Sequence, residues 1–478
     1  MKNKFYITTA IPYVNGKPHI GHALEYVQAD IVVRYHRLIG DESLLLSGSD
    51  ENGLKIVQAA EAQGLSPQAL SDQNTKLFQE FAKKLNVNVD IWRRGSDQKY
   101  HWPGVSELWK KSLEAGDIYN KIYRGLYCVG CEDFYLQKDL VDGKCPEHLK
   151  VPEIVEEENY FFRLSKYEKK LKDLITSGEL KVIPDERRNE ILALIESGLQ
   201  DFSISRSKKR AKGWGIPVPG DENQVIYTWY DGLAIYITGV GYGYDKGEFD
   251  KWWPANVHFI GKGINRFHTL YWPAMLISAG LSIPRSVFIH GYITSGGQKI
   301  SKTLGNVIDP IEVIDRYGAD ATRYYLLREI PATKDGDFTY ERFEQLYNSD
   351  LANGLGNLVQ RVAKLCEIHN ISILSFVSDP SNPSISLIFS HLDRFEFNLA
   401  IEELWREFSA LDIKITTDEP WKKTKEKVVG YLRYYVKKLL ELSQPLSLLL
   451  PQTAAKIQQI FKGPKIVAPP TPLFPRLP

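Results

Sequence analysis

Phe5-Tyr6-Ile7-Thr8-Thr9-Ala10, then Pro18-His19-Ile20-Gly21-His22, then the periodic stretch Ala23 to Leu38: the order predicts a strand, a tight Pro/Gly loop and a helix. A helix starting at this point leaves its first backbone N–H groups unpaired and aimed back at the loop, which favours a negative group there. Phosphate is the natural guest. Two imidazoles three residues apart, with Gly21 between them so that a flat ring can approach the backbone, suit a nucleotide whose phosphates are held while one of them reacts. The same spacing also fits two histidines that only cap a helix, and the motif alone leaves both readings open.

A second stretch bears on the choice. Gly296-Gly297-Gln298-Lys299-Ile300-Ser301-Lys302-Thr303-Leu304-Gly305-Asn306 follows the strand-like Val287-Phe288-Ile289-His290 and precedes a helical pattern from Pro310. Two lysines flanking a serine in a mobile loop offer charge without rigid geometry, as pyrophosphate oxygens need while their charge grows. Alone they would read as solvated surface lysines. In this order, on either side of a long α/β region, the two stretches resemble the signature of the class I aminoacyl-tRNA synthetases. The first motif matches fully. The second, Lys299-Ile300-Ser301-Lys302-Thr303, departs at two positions from the usual Lys-Met-Ser-Lys-Ser. The resemblance implies that His19, Gly21, His22, Lys299, Ser301 and Lys302 bind ATP, that His19, His22, Lys299 and Lys302 are catalytic, and that Mg²⁺ accompanies the nucleotide.

A chain of 478 residues is too long for one compact core, and about three domains are expected. Hydrophobic residues make up 43% and charged residues 25%, as in an ordinary globular protein. The formal net charge is only +1, so no global basic field draws in nucleic acid and any RNA site must be local. No secretory signal opens the chain, and no apolar run, Leu446 to Leu450 included, is long enough to span a bilayer. A cytoplasmic protein is expected. Four cysteines do not make a disulfide framework, and three of them cluster. Cys128-x2-Cys131, thirteen residues, then Cys145-Pro-Glu-His148 form a Cys3His set with the spacing of a tetrahedral structural zinc; a knuckle that keeps its ligands but binds weakly is the alternative.

Along the chain, residues 1–116 alternate strand and helix, with Ser43 to Asp50 as the second strand. The pattern predicts a doubly wound, parallel-sheet, Rossmann-like catalytic domain, with ligands beyond the carboxyl ends of its strands. Tyr13 and Asp50 lie just past strand ends. Residues 117–223, with short aromatic runs and two helices near 167–177 and 184–198, read as an insertion carrying the zinc knuckle. The sheet is expected to resume over Gln224 to Asp231 and Val257 to Lys262, followed by a helix over Asn265 to Ala279 and the lysine loop, so that 224–338 completes the catalytic domain. Residues 339–462 predict an all-α bundle. There Asn353, Asn357 and Arg361 recur every four residues on one face with donors suited to base edges, and Trp421 precedes Lys422, Lys423, Lys425 and Lys427, an aromatic plane beside a cationic patch. Residues 463–478 hold six prolines and predict an extended strap. With no further module after it, a monomer is expected.

Trp229-Tyr230-Asp231-Gly232-Leu233, Phe259-Ile260-Gly261-Lys262, Arg266-Phe267-His268, Tyr271-Trp272-Pro273-Ala274-Met275-Leu276 and Ala10-Ile11-Pro12-Tyr13 are similar to the methionine-activating members of that class, from residue 5 to about 462. The resemblance implies an ATP-dependent, AMP-forming ligase joining methionine to the 3′-terminal adenosine of tRNA(Met), with a methionine pocket at Ile11, Tyr13, Asp50, Trp229, Tyr236, Ile264 and His268. Aromatic rings suit a polarisable thioether, and Asp50 would hold the ammonium by a charge-assisted bond. It also implies an anticodon-binding role for the bundle, with Asn353, Asn357, Arg361 and Trp421 as readers. Gly232 stands where these members commonly carry Ala, and Gly263 where they commonly carry Asp. Two other readings stay open: another class I ligase or adenylyltransferase, and a tRNA-binding relative without chemistry.

Overall fold

Six strands form the central sheet in the order Ile91–Arg94, Glu42–Ser49, Lys4–Thr8, Val257–Gly261, Ser286–His290, Lys181–Ile183. Lys4–Thr8 pairs in parallel with both neighbours, placing Tyr6 beside Leu44 and Ile7 beside Leu45 and Val257. Glu42–Ser49 with Ile91–Arg94, and Ser286–His290 with Lys181–Ile183, are also parallel. Strand segments such as Leu44-Leu45-Leu46 are buried throughout, as a sheet covered on both faces requires. The order reverses between Lys4–Thr8 and Val257–Gly261, and in such a sheet ligands bind beyond the carboxyl ends of the strands at that reversal.

This computed structural model describes residues 3–128, 133–135, 137–146, 149–300, 306–371, 383–462 and 465–478. They fold as two units, one comprising Met1–Pro18, Asp41–Glu80 and Val89–Ile289, the other His19–Gly40, Phe81–Asn88 and His290–Pro478. The first unit has a core built around Tyr6, Leu46, Trp109, Tyr230, Leu233, Ile235 and Trp272. The aliphatic side chains among them, Leu46, Leu233 and Ile235, each contribute roughly 1.5–3 kcal/mol when fully removed from water. An antiparallel sheet carries the inserted region, with Ile118–Cys128 paired to Glu153–Phe162 and to Asp133–Tyr135.

The structure departs from the sequence reading at three places in this unit. The expected strand Gln224 to Asp231 ends at Ile226, belongs to a separate antiparallel sheet with Pro217–Val218 and Ser205–Ser207, and gives way to the helix Thr228–Thr238. That helix is buried on nearly every side, so its apolar residues carry no amphipathic period by which to tell it from a buried strand. The helix expected over Asn265 to Ala279 contains a π-helical segment, Phe267–Tyr271, ahead of Trp272–Ser278. Lys181–Ile183, inside the expected insertion, returns to the central sheet as its edge.

In the second unit the buried Arg323 organises the interior. Its guanidinium pairs with the buried Asp30 at 2.8 Å and donates to the carbonyls of Leu85, Leu448 and Leu449. These contacts join the helix Ile20–Leu38 to Ala319–Arg328 and Lys425–Leu449. A small sheet, Gln298–Lys299 with Ile293–Ser295 and Gly336–Asp337, carries the start of the lysine loop. Beyond it the described residues are helical, including Asn357–Ile368, Phe397–Asp418 and Pro451–Phe461, and end in the strap. The strap is anchored by Phe474, which is buried, and by Asn348, which donates to and accepts from Leu477. No helix among the described residues is long and apolar enough to cross a membrane.

Candidate functional site

In the first unit, Ile11 and Tyr13 follow the strand Lys4–Thr8, while Ile264 and His268 follow Val257–Gly261, the two strands at the reversal. An isolated parallel bridge joins Tyr13 to Asp50, closed by Asp50 N–H to Pro12 C=O at 2.9 Å and Val14 N–H to Asp50 C=O at 3.2 Å. Tyr13 meets Trp229 edge to face at 6.2 Å. Trp229 lies flat on Phe267, 3.8 Å between centroids and 2° between planes, and meets His268 edge-on at 6.4 Å. Tyr236 then contacts His268 through a 2.8 Å hydrogen bond. These contacts bring together Tyr13, Asp50, Trp229, Tyr236 and His268, with Ile11 and Ile264 packed against the same core.

Hydrogen bonds assign the protonation of this wall. His268 Nδ1 faces the Ile264 carbonyl at 3.0 Å, which only accepts, so Nδ1 carries the proton and Nε2 accepts from the Tyr236 hydroxyl. Burial drives the His268 pKa down to about 4, so at neutral pH the ring is uncharged. Behind it His258 accepts from the Trp272 indole at Nε2 and shares its Nδ1 proton with Thr8; burial, then His268, pushes its pKa well down. The wall is therefore aromatic, neutral and polarisable, which suits a thioether.

Asp50 is buried and supplies a charge at the edge of this wall. Thr228 Oγ1 lies 2.8 and 3.0 Å from its two carboxylate oxygens and 2.9 Å from the Asn52 carbonyl. A Cβ at Gly232 would sit 3.1 Å from Asp50 Oδ2, so the departure from alanine there leaves the carboxylate space. Glu51 beside it is fully buried and accepts from Ser49, Thr75, Arg94 and Ser96, which fixes the turn. Gly263 is exposed on the turn Lys262–Ile264.

In the second unit His19 and His22 cap the helix Ile20–Leu38. His19 Nδ1 accepts from Gly21 N–H and His22 Nδ1 accepts from His19 N–H, each at 3.1 Å. Both Nδ1 atoms being acceptors, each neutral ring carries its proton on Nε2. The rings stack at 3.7 Å and 26°. His19 keeps a solvent-open face, yet the surrounding protein, then His290, lowers its pKa to about 4. Burial, then His19 and His290, pushes His22 well below the ordinary value. His290, which contributes to both shifts, is set between the Glu25 carboxylate and the Gly291 carbonyl. The capping reading therefore holds structurally, with the proton of each ring on Nε2 at a helix N-terminus, where a negative group is favoured. Asp337 accepts from Thr294 and from Gly297 N–H, pinning the hairpin that ends at Lys299. Ser301, Lys302 and the side chain of Lys299 lie outside the described residues.

Cys128 ends the strand Ile118–Cys128, and both Cys128 and Cys145 are buried and in no disulfide. Cys131 and His148 lie outside the described residues, among which no group of three or more His, Cys, Asp or Glu side chains could hold a metal. In the helical unit a cavity is lined by Asn353, Asn357, Gln360, Phe474 and Arg476. Arg361 is not in it, and pairs instead with Asp412 at 2.6 Å. Its guanidinium is held by the Asp412 side chain and carbonyl on the neighbouring helix Phe397–Asp418. Trp421 is 53% exposed on the turn Pro420–Lys422.

A family model described as tRNA synthetases class I (M) matches residues 5–151 and 148–363. This chain belongs to that family. Among its relatives, the methionine–tRNA ligase of Brucella melitensis is 40% identical over 97% of this chain and 92% of that protein. That of Thermotoga maritima is 42% identical over 87% of this chain and 68% of that protein. In structure the chain is similar to the Mycobacterium tuberculosis methionyl-tRNA synthetase in complex with methionyl-adenylate, with a TM-score of 0.91, 34% identity and full coverage of both chains. The class I fold expected from the two sequence motifs is thus the fold of this synthetase chain. Sequence reading assigns no site role to Phe267, which stacks on Trp229, or to Thr228, which holds Asp50, because each meets a partner far away in the chain. It also passed over Arg206 to Lys212, although five cations in seven residues are legible as a charge run.

Proposed function

We propose that this chain activates methionine with ATP and transfers the methionyl group to tRNA. The observation that carries the reading is the neutral aromatic wall of Tyr13, Trp229, Tyr236 and His268 with the buried carboxylate of Asp50 at its edge. In the first step the methionine carboxylate attacks the α-phosphorus in line, forming an acyl–phosphate bond as the bond to pyrophosphate breaks. In the second, the 3′-terminal ribose hydroxyl of tRNA attacks the acyl carbon and AMP leaves. Little covalent chemistry falls to the protein, so positioning and charge neutralisation carry catalysis.

Asp50 holds the substrate ammonium, and Trp229, with Ile11 and Ile264, encloses the thioether. Nε2–H of His19 and of His22 donate to phosphate oxygens. Because both rings are neutral at pH 7, they stabilise developing charge as fixed donors and not as counter-ions. Lys299 and Lys302 supply the cations, and Gly21 and Ser301 complete the ATP contacts, with Mg²⁺ on the nucleotide. Cys128, Cys131, Cys145 and His148 would hold zinc as a closed structural site, a role that suits two buried thiols outside any disulfide. Asn353, Asn357, Arg361 and Trp421 read the anticodon, with Arg361 oriented by its pair with Asp412.

Methionine-dependent ATP–pyrophosphate exchange, run in parallel with each of the other standard amino acids, tests the reading. Exchange with methionine alone, followed by charging of tRNA(Met), is the expected result. Exchange with a different amino acid, or none with methionine, overturns it.

A further inference from the structure

We infer that Lys208 and Lys209, on the turn between the strands Ser205–Ser207 and Pro217–Val218, grip the phosphates of the single-stranded 3′ end of the RNA that receives the amino acid; this rests on the function proposed above. The chain carries 60 basic against 59 acidic residues, so attraction for an RNA strand must come from local clusters. Arg206, Lys208, Lys209, Arg210 and Lys212 put five cations into seven residues.

The structure divides these five. Arg206 is buried, lies over the Tyr227 ring at 4.1 Å and donates to Ser203 and Ser205. Arg210 lies over Tyr127 at 4.3 Å, within 3.7 Å of Glu153. Lys212 pairs with Glu61 at 2.6 Å. Lys208 and Lys209 are exposed and form no ion pair among the described residues. The nearby Glu157 is engaged by the Ser207 hydroxyl. Three cations build the turn, and two are left facing water.

The turn is rigid and attached at a telling place. Backbone bonds from Ala211 to Ser207, Lys212 to Lys209, Gly213 to Lys208 and Trp214 to Ala211 close it on itself. Trp214 then donates its indole N–H to the Glu51 carbonyl at 2.7 Å, fastening the turn to the residue next to Asp50. A cleft under the turn is lined by Arg206, Arg210 and Trp214 and, at its other side, by Gly53 and Thr228. Thr228 is the residue whose hydroxyl bonds Asp50. Transfer requires the terminal ribose hydroxyl to reach an acyl carbon one bond from the atom bearing the ammonium that Asp50 holds. The nucleotides preceding that ribose bring phosphates into this neighbourhood, and a preorganised pair of flexible, strongly hydrated ammonium groups holds them without reading sequence.

The test is the double variant Lys208→Ala/Lys209→Ala, with Lys208→Arg/Lys209→Arg as its charge-preserving counterpart. Exchange, which needs no RNA, should match wild type. The KM for tRNA in charging should rise about tenfold or more in the alanine variant. The dependence of log KM on log salt should flatten by about 1.4, at roughly 0.7 per phosphate released from a single strand. The arginine variant should retain wild-type behaviour, and a minihelix RNA lacking the anticodon should show the same loss in the alanine variant. An alanine variant with wild-type KM and salt slope overturns the inference, as does one in which exchange falls in step with charging. If wild type itself exchanges no methionine, the proposed function fails; if wild type exchanges and charges and only the variants are indistinguishable from it, the grip alone fails.

Discussion

Tyr236 donates its hydroxyl proton to His268 Nε2 across 2.8 Å, and the Ile264 carbonyl holds the proton on the other ring nitrogen. Both groups are buried, so the two bonds fix the orientation of the ring. Tyr236→Phe leaves Nε2 without its donor, and an unsatisfied buried acceptor costs about 1–3 kcal/mol. The KM for methionine in the exchange assay should rise by roughly ten- to a hundredfold, with kcat changed far less. A fall confined to kcat would place Tyr236 at the reacting atoms instead.

The same burial makes His268 a source of acid sensitivity. Its folded pKa of about 4 lies below the ordinary 6.5, so as pH falls through 6.5 the unfolded chain takes up a proton that the folded chain refuses until about 4. Stability is therefore present in full above 6.5 and lost between 6.5 and 4, by on the order of 3 kcal/mol for this one group. His268→Gln removes the titration. Denaturant unfolding of the variant across that window should depend less steeply on pH than wild type, and an unchanged slope would show that His268 is not neutral in the fold.

Asp50 is positioned by Thr228 and given room by Gly232. Asp50→Asn keeps the shape and removes the charge, and hydrogen bonds to charged groups are worth about 1.5–3 kcal/mol. Methionine binding should weaken by roughly ten- to a hundredfold. Gly232→Ala brings a methyl group to 3.1 Å of Oδ2 and should raise the same KM, by less. If neither change alters the KM for methionine in exchange, the ammonium is held elsewhere.

How much of this could be seen in the sequence depends on the range of the interactions. The strand Lys4–Thr8 and the helix Ile20–Leu38 announce themselves through local periodicity and a Pro/Gly loop. Thr228–Thr238 does not, because a helix buried on nearly every side loses its amphipathic period and resembles a buried strand. Asn353 and Asn357 were placed together by spacing, and they do share a cavity. Arg361, one turn further along the helix Asn357–Ile368, pairs with Asp412 across to Phe397–Asp418, a contact between distant parts of the chain that helical spacing does not reveal. The stacking of Phe267 on Trp229 joins residues thirty-eight positions apart, beyond any local signal.

Arg323 and Asp30 form a fully buried pair, with Arg34 also on the Asp30 carboxylate. Arg323→Met leaves Asp30 with Arg34 as its one remaining ion-pair partner among the described residues and three carbonyls without their donor. Breaking a buried pair by removing one side typically costs about 3–5 kcal/mol. The second unit should unfold at markedly lower denaturant, read by the circular dichroism of its helices. A change under about 1 kcal/mol would mean that Arg34 alone satisfies Asp30.

Trp421 can be either an RNA-stacking ring or a packing residue, and its exposure separates the two. A ring buried in the bundle would destabilise it when removed, by about 3–5 kcal/mol for Trp→Ala; a ring that is 53% exposed on the short turn Pro420–Lys422 has little packing to lose. Loss of one stacked base costs about 1–3 kcal/mol. Trp421→Ala should thus melt near the wild-type temperature, exchange methionine normally and charge tRNA(Met) roughly ten- to a hundredfold less efficiently. A sharp drop in melting temperature, with exchange and charging damaged together, would make Trp421 structural and remove it from the anticodon readers.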